Sequence, residues 1–126
     1  MRPLTEVLEK VVEEVSKAAG LKASVGWKPD ITHPAITLQM RSCEITPLDI
    51  TSSKHLLDIS IQIDVWHTSP LARDKTADSL IQHFEEERSR LAEELGLCGF
   101  GFEAAADMDE EHGFRKMLLL RLKTVG

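Results

Sequence analysis

Between Leu56 and Trp66 the chain reads LLDISIQIDVW, in which Leu57, Ile59, Ile61, Ile63 and Val65 are apolar and Asp58, Ser60, Gln62 and Asp64 are polar. Period two is the spacing of a strand with one face on a core and the other in water. A strand this regular obliges the rest of the chain to supply paired neighbours and an apolar layer above it. Trp66 falls on the polar face, where a large aromatic either covers a sheet edge or meets a partner.

The remaining segments supply what that strand needs. From Leu4 to Ala19, apolar residues recur at helical spacing while Glu6, Glu9, Lys10, Glu13, Glu14 and Lys17 face away, and Gly20 stops the helix. A short strand is expected over Ala23 to Trp27, a proline-bearing loop over Lys28 to Pro34, and a strand through Ile36, Leu38 and Met40. Between Cys43 and Lys54 the segment EITPLDITSS is too apolar for a free linker and too broken for a regular element. It reads as a long hairpin arm or a loop packed on a neighbour. Ser69-Pro70 caps a second helix whose buried stripe is Leu71, Ala77, Leu80, Ile81, Phe84, Leu91, Ala92 and Leu95, ending at Gly96. A strand with glycines at 99 and 101 follows over Cys98 to Ala106, read as a site of close backbone approach. An acidic turn over Asp107 to Gly113 leads to the closing strand Phe114 to Val125, which has apolar residues on both faces.

The economical fold is one α+β domain over residues 1–126, in the order α-β-β-β-α-β-β. Its mixed or antiparallel sheet has about four to five strands, with two helices packed on one face. At 126 residues such a domain buries a core without staples. Cys43 and Cys98 are far apart and read as two free thiols in a reducing compartment. The opening lacks the pattern of a signal peptide, and no apolar run approaches the roughly 18 residues of a membrane span, so a soluble protein made in the cytoplasm is expected. The net charge of −6 forms no basic stripe, which argues against tight nucleic-acid binding.

Residues that carry chemistry are sparse. His33, His55, His67, His83 and His112 are scattered without ligand spacing, and the Asp107 to Gly113 turn lacks the glycine and distal glutamate of a calcium loop. No nucleophile elbow, phosphate loop or dinucleotide fingerprint occurs. No catalytic, cofactor or metal residue is assigned, and the chain is expected not to be an enzyme. An enzymatic site would have to gather His67, Asp64 and Glu103 from separate segments.

The stretch Ile61-Gln62-Ile63-Asp64-Val65-Trp66, its polar turn and the Ala72…Ala77-Asp78…Ile81 helix resemble the tail terminator (tail completion, minor tail) proteins of long-tailed phages and prophages. The order of elements is similar too. The resemblance implies a non-catalytic virion subunit, assembled in the host cytoplasm, that forms a homo-oligomeric ring, commonly of six. Such a ring caps the tail tube protein and offers a surface to the head connector protein.

Trp66, Met117, Leu119 and the arm residues Ile45, Leu48 and Ile50 exceed what two helices can hide, so they are assigned to an oligomer or partner interface. Trp66→Ala is accordingly expected to weaken self-association and spare the fold. The alternative is a small ferredoxin-like α+β oligomer that binds a ligand or regulates a partner through its sheet face.

Overall fold

The computed structural model describes residues 4–26, 34–48, 50, 53–109 and 113–125. Trp27, most of the loop expected over 28–34, and residues 110–112 of the acidic turn lie outside them, as do His33 and His112.

The first helix, α1 (Leu4–Ala19), buries Val7, Val11 and Val15. It stops at Gly20, whose φ of 67° lets its N–H reach the Ser16 carbonyl at 3.0 Å. The Ser16 hydroxyl accepts the Ala23 N–H at 3.0 Å and so leads the chain into β1 (Ala23–Val25). Then come β2 (Ala35–Pro47), β3 (His55–His67), α2 (Pro70–Glu86), α3 (Arg88–Leu95), β4 (Leu97–Asp107) and β5 (Phe114–Val125).

The five strands form one mixed sheet in the order β1-β2-β3-β5-β4, with β1 parallel to β2 and every other pair antiparallel. This is the α+β fold expected, with the long alternating strand at its centre. All three helices share a core with one sheet face: Ile36 and Leu38 of β2, Leu57 to Val65 at every second residue of β3, and Leu118, Leu120 and Leu122 of β5. α1 packs on its own sheet, because its three valines belong to that same core.

The single long helix expected after Ser69 is broken. Glu87, at φ −95° and ψ 13°, ends α2 and starts α3. The break redirects the chain toward β4. There, Arg88 donates to the Phe100 carbonyl at 2.9 Å and lies 4.6 Å from the Phe100 ring centre. The start is as expected, with the Ser69 hydroxyl accepting the Ala72 N–H at 3.1 Å. Leu71, placed in the buried stripe by spacing, is exposed, and the buried residue of that first turn is Arg73.

Glu14, placed on the wet face of α1, is only 4% exposed. It faces the α2–α3 junction, where Arg90 donates two bonds of 3.0 and 2.9 Å and His83 Nε2 lies 2.7 Å away. Arg90 and His83 hold its carboxyl at about 2, against the ordinary 4.5, the Arg90 bonds being the larger cause.

Candidate interaction surface

The face of the sheet away from the helices is built by the alternate residues of the same strands. Across it run the rungs Ala35–Trp66–Arg115, Thr37–Asp64–Met117, Gln39–Gln62–Leu119, Ser42–Ser60–Arg121 and Glu44–Asp58–Lys123. The sequence pattern marks this face as wet, but half of it is not. Asp64 is 1% exposed and Trp66 5%, with Thr37 and Gln62 also buried. Long side chains lie flat over the strands and shut water out.

A polar network stabilises that burial. Gln62 Nε2 donates to the Asp64 carboxylate at 2.9 and 3.2 Å, Arg115 pairs with Asp64 at 3.3 Å, and Arg41 donates to Gln62 Oε1. Trp66 lies beneath the Arg115 guanidinium, 5.1 Å from ring centre to Cζ, and its indole N–H points at the Thr37 hydroxyl at 3.4 Å. The exposure expected of Trp66 is therefore corrected: its cover is Arg115 of its own chain. Sequence reasoning missed this network, because the signal is the diagonal placement of Arg115 and Arg121, one rung along β5 from the partners of Asp64 and Asp58, visible only once the β3–β5 register is known.

Farther along, Arg121 holds Asp58 through bonds of 2.7 and 2.5 Å and Glu103 through one of 2.8 Å. That guanidinium keeps the Asp58 carboxyl below the usual range. Two hollows open on this half of the face. One, of about 310 Å³, is lined by Arg41, Ser42, Ser60, Met117 and Leu119, so the half-buried Met117 and Leu119 line a groove. The other, of about 270 Å³, lies over β4 between Gly99 and Glu103, beside Arg121 and Lys123. Close approach is not what these glycines serve. A Cβ at Gly99 would meet nothing within 4 Å and one at Gly101 only the Arg88 guanidinium at 3.9 Å, so the absence of side chains leaves the notch open.

The segment read as an arm is a hairpin. Ile45, Thr46 and Pro47 pair with Leu57, Leu56 and His55, and the Leu48 N–H donates to the Lys54 carbonyl at 3.2 Å. Because β5 pairs with β3 as far as Leu56, Ile45 and Thr46 still lie in rungs of the sheet, and only the Pro47–His55 pair and Leu48 beyond it reach past β5. Ile45 is 55% exposed, Leu48 51%, and Ile50 is fully open to solvent. The six assigned residues thus fall into three settings: one buried tryptophan, two groove-lining side chains, and three exposed aliphatic residues of the hairpin, Ile45 at the sheet margin and Leu48 and Ile50 past it.

The acidic turn is tied down at its start. Arg73, buried at the head of α2, pairs with Asp74, Asp107 and Asp109, and Lys116 pairs with Asp74 at 2.9 Å and Asp107 at 3.3 Å. Lys116 above all, and then Arg73, hold the Asp74 carboxyl below its ordinary value.

His67, Asp64 and Glu103 do not come together. His67 shares the parity of Val65, on the face opposite Asp64, and its Nδ1 accepts the Thr68 N–H at 2.9 Å, while Glu103 is held by Arg121. Among the described residues no group of three His, Cys, Asp or Glu side chains stands close enough to hold a metal ion. Cys43 and Cys98 are free, and burial raises the Cys43 thiol. No described helix is long and apolar enough to cross a membrane.

No protein-family model matches this chain, and no curated protein matches it in sequence. Among solved structures, it is similar to a chain in the virion of a native gene transfer agent (GTA) particle. That match covers 100% of both chains, with a TM-score of 0.56 and 12% identity. At that identity the likeness is one of fold, and it extends from end to end.

Proposed function

We propose that this chain is a non-catalytic virion-assembly subunit of the tail-terminator type, one that forms a homo-oligomeric ring on the end of a tail tube and joins it to a head connector. The observation that carries the reading is the hairpin arm. Leu48 and Ile50 stand in water past the end of the sheet and Ile45 stands exposed at its margin, and exposing them is unfavourable unless a partner covers them. An apolar side chain such as Leu or Ile contributes about 1.5–3 kcal/mol when fully buried, so the arm is suited to ordering against a tube or a neighbouring subunit. The fold shared with a virion chain supports the same reading. The acidic balance of the chain suits a wall past which DNA slides without sticking.

Size-exclusion chromatography with light scattering, followed by electron microscopy of the protein mixed with tail tubes, tests the proposal. Rings at tube ends are expected, and Ile50→Asp should abolish tube capping while leaving the melting temperature unchanged. A chain that stays monomeric alone and with tubes, and caps none of them, would overturn it.

A further inference from the structure

We propose that copies of this chain join by strand pairing: the outer edge of β4 in one copy adds, antiparallel, to the part of β2 that β1 leaves uncovered in the next. The inference rests on the ring reading above and names the contact that would close the ring.

Among the described residues, two open edges lie at opposite sides of one sheet. β1 reaches only Ile36 to Leu38 of a strand that continues to Pro47, and beyond it Arg41, Ser42 and residues 44–47 are exposed. At the other side β4 is the end strand, with Cys98, residues 103–105 and Asp107 exposed. A solitary domain blunts such edges with lysine, proline or a covering segment. β4 contains neither lysine nor proline, and presents three successive alanines at 104–106. Its guards are two bulges, at Leu97/Gly99 and Phe102/Ala104, and Arg88 on the Phe100 carbonyl, the last a single side-chain bond that a pairing strand can replace.

Direction favours the pairing. β2 is antiparallel to β3, β3 to β5 and β5 to β4, so β4 runs opposite to β2. A second copy placed to continue the sheet therefore presents its β2 antiparallel to this β4. Because the two edges are different surfaces, the contact is heterologous and propagates into a ring or a filament rather than closing as a dimer.

Charge fixes the register. Glu44 is exposed and faces Asp58 across its own rung, an unfavourable pairing of like charges. Arg121 holds Asp58, whereas Glu44 is exposed on the strand at the sheet edge. Setting Glu44 of the next copy opposite Gly99 puts its carboxylate over the glycine notch, beside the exposed Lys123 that pairs with Gly99. Side chains of the open face then stay on one side across the joint.

A charge-reversal cycle tests the contact. Glu44→Lys and Lys123→Glu should each lose the oligomer peak in light scattering with unchanged melting, and the double variant should regain it. Hydrogen exchange on the unaltered chain should show the amides of β4 and of residues 39–46 slowed in the oligomer relative to the dissociated chain. An oligomer that survives both single reversals, a double variant that stays dissociated, or edge amides that exchange equally fast in both states would overturn this inference and leave the ring reading standing. A chain monomeric under every condition, tubes included, would overturn both.

Discussion

Replacing Glu14 by glutamine tests how the helical layer is held together. Glu14 is 4% exposed and accepts two bonds from Arg90, beside His83. Moving its carboxyl from 4.5 to about 2 corresponds to about 3 kcal/mol of preference for the ionised, paired form. Arg90, 37% exposed, is partly screened by water, so about 2 kcal/mol is the stability expected from the charge. The group is depressed in the folded state. Its contribution is complete above pH 4.5, the unfolded value, and is lost as pH falls from there toward about 2. Urea denaturation of both proteins should give Glu14→Gln a deficit of about 2 kcal/mol at neutral pH that shrinks through the acid range and closes near the folded value. A deficit below about 0.5 kcal/mol at neutral pH, the worth of an ordinary surface pair, would refute the reasoning. So would a deficit that stays constant down to the lowest pH at which both proteins fold.

Two further outcomes bear on the sheet and its exit turn. Trp66→Ala should lower the melting temperature and cost about 3–5 kcal/mol, since the indole is buried under Arg115; a variant as stable as the parent would put the tryptophan back at a surface. Ser69→Ala should cost about 1 kcal/mol through loss of the bond to the Ala72 N–H, read by chemical denaturation, with Ser69→Gly milder than Ser69→Ala; the reverse order would mean that the hydroxyl is not the cap.

Much of the fold is legible in the residues, and the pattern of what is not is physical. The β3 alternation, the Ser69-Pro70 start and the glycine stops at 20 and 96 are local signals, and each corresponds to an element or boundary in the structure. The break at Glu87 is invisible, because Phe84 and Leu91 are seven residues apart, two helical turns, and the apolar stripe runs through the bend unbroken. Glu14 reads as a solvated charge, since nothing local tells that Arg90 will arrive from a distant segment to pair with it. The arm was visible as an anomaly, too greasy for a linker, and its hairpin pairing follows from the register that β2 and β3 already share. The alternation places Trp66 on the correct face, but its cover is not legible in it. A side chain from the closing strand lies over it, and sequence distance hides that neighbour.

The clamp at the head of α2 changes how the molecule looks electrically from outside. Two cations, Arg73 and Lys116, are engaged by Asp74, Asp107 and Asp109, so a tip that reads as acidic in one dimension is nearly balanced at its root in three. The long-range field then originates chiefly in the carboxylates of α1 and α2, on the flank opposite the bare sheet. An anionic polymer drifting toward this molecule would be deflected from its helical flank, and salt would soften that repulsion while the shielded Arg73 anchorage holds.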